Sequence, residues 1–412
     1  MKLKTLLLAC LATYTTAYGQ PAKIYLSPKA ATAAGQSLFF DSLKFYPLEI
    51  NKKKEIGRYS YAYVADNFFY INNYFDKTLL VYAKDGKFVK EISYRKLGES
   101  ASPNYDKNKQ QMVFLFTNKK YNLTEKDRIQ IKNGFDDPRN KKYYKKYVID
   151  LNDTSFTIKK AEVTAFDILG AYNLKDNYYC TYEISVNKNY KDSIDYEVKI
   201  YQDTKFVSGY FPYDKRKESR YLYSRWVSAF TQESNKPNVF YITRPYVDTI
   251  YALSNGVVTP AYQLILPMEN SLPKSFFEKP FKNATDRENF ERNNGWLLRQ
   301  IYSLNETDRF MLFTIGFLSN YGQYAYDKKN AATYDLRKVK PDSALYNLPP
   351  LMERSYSLGS NRKFYTFLSA EDLKKVYELK DKSAPFPKEL EACFKDSKNP
   401  APVIIEYSIK TN

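Results

Sequence analysis

Residues 68–92 read FFYINNYFDKTLLVYAKDGKFVKEI. Phe68-Phe69-Tyr70-Ile71 is an aromatic and β-branched run, of the kind that suits a pleated, half-buried surface. Leu79-Leu80-Val81-Tyr82 is the next such run. Lys84-Asp85-Gly86-Lys87 then supplies an Asp-Gly turn, the strongest short hairpin signal, because glycine accepts the positive φ the turn needs. Phe88-Val89-Lys90-Glu91-Ile92 returns on the other side. Three strands in sequence order make a meander.

The same grammar runs outward along the chain. Met112 to Phe116 is a strand of buried type. Residues 143–149 and 154–159 are predicted strands flanking an Asn152-Asp153 turn. Tyr178 to Ile184 reads as a strand. Tyr196 to Tyr201 alternates strictly, Gln202-Asp203 turns, and Lys205-Phe206-Val207 returns. Val239 to Ile242, Thr249 to Leu253 and Tyr262 to Leu266 follow, with Asn255-Gly256 as a second strong turn. Phe310 to Phe317, Tyr321 to Tyr326, Lys363 to Leu368 and Val403 to Ile409 complete the set. Three stretches look helical. Phe276 to Asn294 is charged, Ser369-Ala370-Glu371-Asp372 opens with a cap and acids, and Pro387-Lys388-Glu389-Leu390-Glu391 carries its proline at the start. They are expected as decorations. Repeated short meanders predict an all-β fold, a propeller or a large barrel; radial stacking of a propeller hides sheet edges.

The chain has 412 residues, 43% of them hydrophobic and 17% aromatic, including 41 Tyr and 27 Phe. Such a composition excludes a disordered chain. The formal charge is +18, of which Lys2 and Lys4 supply two units. Lys and Arg are spread along the chain, and the dense clusters, Lys52-Lys53-Lys54 and Lys141-Lys142-Tyr143-Tyr144-Lys145-Lys146, are short. Solvated faces account for most of this charge. Peripheral contact with an anionic membrane surface or an acidic polysaccharide is the functional alternative. Histidine is missing altogether. That rules out a Ser-His-Asp triad, a Cys-His pair and an HExxH zinc site. Acid–base chemistry would fall to Asp, Glu, Tyr, Lys or Cys.

Residues 1–19 read as a secretory leader. Lys2 and Lys4 start it, Leu6-Leu7-Leu8 forms its apolar centre, and Ala17-Tyr18-Gly19 offers the small residues a signal peptidase reads. The apolar run is too short to span a bilayer. Leu7-Leu8-Ala9-Cys10 also spells a lipobox with Cys10 as the lipid-bearing residue, although almost no hydrophobic stretch separates Lys4 from Cys10. Export to the periplasm or cell surface is expected, with residues 20–412 as a single domain that ends in a closing strand. Cys180 and Cys393 are expected as buried thiols, with one disulfide as the alternative. No cofactor and no metal site is expected. Export argues against nucleic acid as a partner.

Several segments together resemble a six-bladed β-propeller family of Bacteroidetes, related in shape to NHL and TolB propellers. They are Phe45-Tyr46-Pro47-Leu48-Glu49, Glu55-Ile56-Gly57, and residues 69–71 and 80–89. Asp248-Thr249-Ile250-Tyr251 and residues 255–262 form the middle match. Pro387-Lys388-Glu389-Leu390, Asn399-Pro400 and residues 403–409 form the last. Residues 95–170 and 268–360 depart from the pattern. The resemblance implies a six-bladed β-propeller with helical insertions and an envelope location. It carries no catalytic residues.

Candidate chemistry is sparse. Aromatic faces stack on the C–H faces of sugars while polar tips hydrogen-bond. Trp226 and the pair Arg244 and Tyr246 are therefore the candidate ligand-binding residues, although packing is the commoner use of such side chains. Asp66, Asp176, Asp195 and Asp248 stand beside strands, where two converging carboxylates would make a lyase, glycosidase or lactonase. The expected function is a monomeric envelope binding or scaffold protein for a glycan, a peptide or a partner protein. A carboxylate-dependent enzyme on the same scaffold is the alternative.

Overall fold

The computed structural model describes residues 20–50, 56, 61–98, 102–106, 108–175, 178–182, 194–214, 230–232, 238–278, 281–353, 356–359, 363–380, 385–396 and 400–412. Residues 1–19, Cys10 among them, and also Trp226 and Asp176, lie outside the described residues. The chain is mainly β-strand, with short helices. It divides into two compact units. One comprises Met1–Ala33, Cys180–Lys338 and Thr411–Asn412; the other comprises Ala34–Tyr179 and Val339–Lys410.

The second unit holds the opening meander. Strands Tyr61–Val64, Phe68–Asn73, Thr78–Ala83 and Phe88–Ser93 pair antiparallel in sequence order. Gly86 sits at φ +85°, and a Cβ there would come within 1.9 Å of the Pro47 carbonyl oxygen, so the turn admits glycine alone. Both faces of this sheet are buried. Phe69, Ile71, Leu80 and Tyr82 pack with Tyr365, Phe367 and Ile404. On the other face Tyr70, Leu79 and Val81 pack with Met112, Phe114 and Ile149. Two-sided burial explains why residues 79–82 are a continuous apolar run rather than an alternating one. Each such side chain contributes about 1.5–3 kcal/mol on leaving water.

A second meander in this unit runs Pro103–Asp106, Gln111–Thr117, Tyr144–Asp150 and Lys159–Ala161. Here the expected strand over residues 154–158 is replaced by a loop. The Asp153 carboxylate accepts from the Ser155 amide at 2.9 Å and its hydroxyl at 2.8 Å. Phe156, at φ +49°, then drops into the core against Phe68 instead of extending the chain. A third sheet joins the two ends of the unit. Strand Lys44–Pro47 pairs with Val403–Tyr407, which pairs with Phe364–Leu368 and through it with Tyr356–Leu358. The Tyr46 hydroxyl donates to Glu406 at 2.7 Å across this junction.

In the first unit, strands Phe230–Gln232, Val239–Thr243, Thr249–Ser254 and Val257–Ile265 form a meander, and Ala22–Tyr25 adds in parallel to its last strand. Asn255 and Gly256 are both at positive φ, 50° and 74°, in the two-residue turn between Ser254 and Val257. Hairpin Ile194–Gln202 with Lys205–Asp214 turns one residue later than expected, on Asp203-Thr204. The last sheet runs Leu298–Glu306, Phe310–Phe317, Tyr321–Asp327 and Ala332–Asp335. Its second strand is buried along its whole length. Tyr241, Ile250 and Leu264 of one sheet and Ile301, Met311 and Ile315 of the other share one core.

The helices are capped as their sequences direct. Ser369 and Asp372 form a capping box at the start of Ala370–Glu378. The single helical stretch expected over residues 276–294 is two helices, Lys274–Glu278 and Ala284–Asn293; Asn283 starts the second by accepting from the Asp286 amide at 2.9 Å. Helices Glu125–Asn133 and Ala165–Leu169 were not anticipated, although Thr124 with Asp127 and Thr164 with Asp167 form capping boxes that the sequence displays. Among the described residues no helix is long and apolar enough to cross a membrane.

Candidate functional site

A cleft of about 550 Å³ opens in the first unit, beside the sheet that ends at Asp335. Five segments contribute to its wall, the first being Pro28 and Lys29, which follow strand Ala22–Tyr25. The short helix Met268–Asn270 brings Glu269 and Asn270. The turn after helix Ala284–Asn293 brings Asn294, Gly295 and Trp296. Strand Tyr321–Asp327 brings Tyr324. Asp335 and Arg337 come from the end of the last strand and the turn beyond it.

Trp296 is held by its backbone and free at its ring. Its carbonyl accepts from Asn270 Nδ2 at 2.9 Å, and the indole lies 5.3 Å from the Phe317 ring, yet Trp296 remains 47% exposed. A Cβ at Gly295 would meet, at 2.9 Å, the Asn320 Nδ2 that donates to the Gly295 carbonyl. A large aromatic side chain partly open to solvent in a concave wall can stack against an apolar ligand face.

Two polar atoms in this wall are buried without a hydrogen-bond partner, Asn270 Oδ1 and the Tyr324 hydroxyl. Asn270 is 3% exposed and Tyr324 is fully buried. Because only the amide nitrogen can donate to the Trp296 carbonyl, Oδ1 is fixed as the open acceptor. The Tyr324 phenol is pushed up to about 12, chiefly by burial, with Asp335 adding and Arg337 opposing, so it keeps its proton at neutral pH. The hydroxyl rests over Gly322, where a Cβ would come within 2.2 Å of it. An orphaned buried polar atom costs about 1–3 kcal/mol. Five others exist among the described residues, and none of them belongs to this wall.

Of the charged groups of the cleft, Arg337 and Asp335 are locked together, and the others have exposed or backbone partners. Arg337 donates to Asp335 through Nε at 3.0 Å and Nη2 at 2.9 Å, and through Nη1 to the Tyr321 carbonyl at 2.8 Å. Its hydrogen bond to Asp335 holds the guanidinium above its ordinary pKa. Lys29 pairs with Glu269 at 3.0 Å, and Lys338 donates to the Ala31 carbonyl at 2.9 Å.

The sequence-predicted residues lie elsewhere. Arg244 grips Glu197 with two hydrogen bonds of 2.8 Å and covers the Phe211 ring at 4.3 Å. Tyr246 is 3% exposed at φ +64°, and its hydroxyl accepts from Arg287, whose guanidinium is stacked among Tyr246, Phe276 and Phe281. Of the four acids, Asp195 pairs with Lys199 at 2.8 Å, and Asp248 accepts from Thr249 and Gln263. Asp66 belongs to the other unit. The basic run 141–146 is internally neutralised in part, with Lys146 on Asp167 at 2.8 Å and Lys141 on Glu162. Cys180 and Cys393 are buried free thiols, and burial pushes Cys393 up to about 12. Among the described residues no group of three or more Cys, Asp or Glu is arranged to hold a metal. What the sequence reading missed is Asn293-Asn294-Gly295-Trp296. A tryptophan one residue beyond an Asn-Gly turn, just after a helix, is the signal that pointed there.

No family model matches the chain, and no curated protein matches it. Solved structures do. A Bacteroides fragilis NCTC 9343 protein whose name calls it a candidate exported protein aligns at a TM-score of 0.54 with 15% identity, covering 95% of this chain and all of that one. This likeness shows a shared fold. A member of the DUF4221 family from Bacteroides vulgatus aligns at 0.41 with 8% identity over 90% of this chain and 98% of its own. The β-propeller domain of the Trilobed protease from Pyrococcus furiosus aligns at 0.28 with 12% identity over 76% and 92%. The last two scores are too low to bear on the fold.

Proposed function

We propose that this chain is an exported binding protein of the bacterial envelope, built as a six-bladed β-propeller, which captures its ligand in the Trp296 cleft. Sequential four-stranded meanders with both faces buried favour the propeller. The leader-like residues 1–19 favour export, to the periplasm or the cell surface. The observation that carries the binding role is the meeting, in one cleft, of an exposed tryptophan with two unsatisfied buried polar atoms. A carboxylate enzyme needs acids free to exchange protons. Of the two carboxylates of this cleft, Asp335 is buried and locked by Arg337, and Glu269 lies at the exposed rim beside Lys29. Binding without chemistry is the better reading.

Calorimetric titration of the mature chain with envelope glycans and peptides tests this. Trp296→Ala should weaken binding by at least about 2 kcal/mol, roughly thirtyfold, as truncation of a central tryptophan does. Trp226→Ala serves as the comparison. If Trp226→Ala abolishes binding and Trp296→Ala does not, the site lies at Trp226 and the cleft reading fails.

A further inference from the structure

The chain is strongly basic, which by itself suggests an acidic ligand. The cleft argues the other way, and we infer that it binds the ring of a neutral, hydroxyl-bearing sugar rather than an acidic one. This rests on the Trp296 cleft being the binding site.

Recognition of a carboxylate calls for a free cationic fork. Arg337 has its fork turned onto Asp335 and its remaining terminal nitrogen on the Tyr321 carbonyl. Lys29 is balanced by Glu269, and Lys338 is drawn onto a backbone carbonyl. The groups left wanting a partner are neutral and of opposite kinds. Asn270 Oδ1 only accepts, whereas the protonated Tyr324 hydroxyl donates. A sugar hydroxyl both donates and accepts, so one hydroxyl, or two neighbouring ones, can satisfy both. A uronic ring could offer its hydroxyls to the same pair, but its carboxylate only accepts, so it would repel Oδ1 if set there and would find the Arg337 fork already taken if set elsewhere. The apolar part of the site suits the same ligand: the exposed part of the Trp296 ring matches the C–H face of a pyranose. Both orphaned atoms are shielded from water, so a side-chain adjustment in the wall accompanies binding.

The test uses the mature chain with matched neutral and uronic oligosaccharides, built on glucose, galactose, mannose or xylose. At least one neutral oligosaccharide should bind, with affinity changing less than about twofold between 50 and 500 mM salt, since no ion pair with the ligand is screened. Tyr324→Phe should weaken that binding about tenfold. It should also raise the unfolding midpoint of the free chain by about 2 °C, because it removes an unsatisfied hydroxyl. A merely structural tyrosine would give the reverse, a lower midpoint with affinity unchanged, and that result overturns the proposal. Binding that is lost in Trp296→Ala yet confined to uronic oligosaccharides and weakened by salt overturns the neutral class and leaves the cleft standing. Binding indifferent to Trp296→Ala overturns the cleft itself.

Discussion

Two four-stranded meanders, residues 61–93 and residues 298–335, share a topology and differ in what they bury. The first is filled with Phe69, Ile71, Leu79, Leu80 and Val81, and it buries no carboxylate. The second buries Glu306, Asp327 and Asp335 beside its apolar residues. Each of these acids has a cation: Lys328 on Glu306, Arg309 on Asp327 and Arg337 on Asp335. Glu306 also accepts from the hydroxyls of Tyr241 and Tyr262. Burying an ion pair seldom stabilises more than packed hydrocarbon would. The polar sheet is therefore an expensive way to build a fold, and it is the sheet that lines the cleft.

The largest expected effect tests whether that polar interior is interlocked. Glu306→Ala takes the acceptor from the buried Tyr241 phenol and from the half-buried Tyr262 and Lys328, and should cost about 3 kcal/mol, measured by urea unfolding. A loss no larger than that of an exposed charge, under about 1 kcal/mol, would mean the cluster is solvated and the contrast between the sheets is false.

The next concerns the sign of each sheet's response to pH. Burial would raise the Asp327 carboxyl, but hydrogen bonds from Arg309 and the Lys329 amide outweigh it and hold the group below its usual range. Its stabilisation is present above the ordinary carboxylate pKa of about 4 and is lost as pH falls through the lower folded value. Asp327→Asn should cost about 2 kcal/mol at pH 7, and the deficit should shrink as pH drops below 4. A deficit that stays constant down to pH 2 would remove charge from the explanation.

The smallest effect belongs to the apolar sheet. Lys84 follows strand Thr78–Ala83 and lies over the rings of Phe69 and Tyr365, at 4.2 and 5.5 Å. Burial lowers it from 10.5 to about 8, Lys44 adding and Glu406 and Asp66 opposing. A lowered lysine is a charge the fold resists. The folded chain sheds this proton first, so stability should rise between pH 8 and 10.5 relative to Lys84→Met, by about 1 kcal/mol after solvent screening. Parallel pH curves for the two proteins would contradict this.

The same contrast explains what the sequence disclosed. The first meander was legible because its strands are apolar runs and its turn is Asp-Gly. The strand Leu298–Glu306 was not. Its register shifts between Tyr302 and Asn305, Ser303 takes φ +56°, and its buried end is Asn305-Glu306, so neither alternation nor hydrophobicity marks it. The cleft was hidden for a related reason. Asn270, Trp296, Tyr324 and Arg337 come from four separate segments inside the interval 268–360, which departs from the family resemblance, and only tertiary packing brings them to one wall. Arg244 and Tyr246 read as ligand-binding residues because an Arg-Pro-Tyr sequence does not reveal Glu197 or Arg287, the partners that engage them.

The sheet that pairs Lys44–Pro47 with Val403–Tyr407 sets a timetable for folding. Val403–Tyr407 is made some 360 residues after Lys44–Pro47, so until then Lys44–Pro47 has an open edge and the sheet cannot close. Such long-range pairing slows folding, since the loop entropy is spent before the contact forms. For a chain exported as proposed, this delay is useful: a nascent polypeptide unable to finish folding inside the cell stays threadable. A stop anywhere before residue 403 would leave that edge bare and ready to pair with another copy.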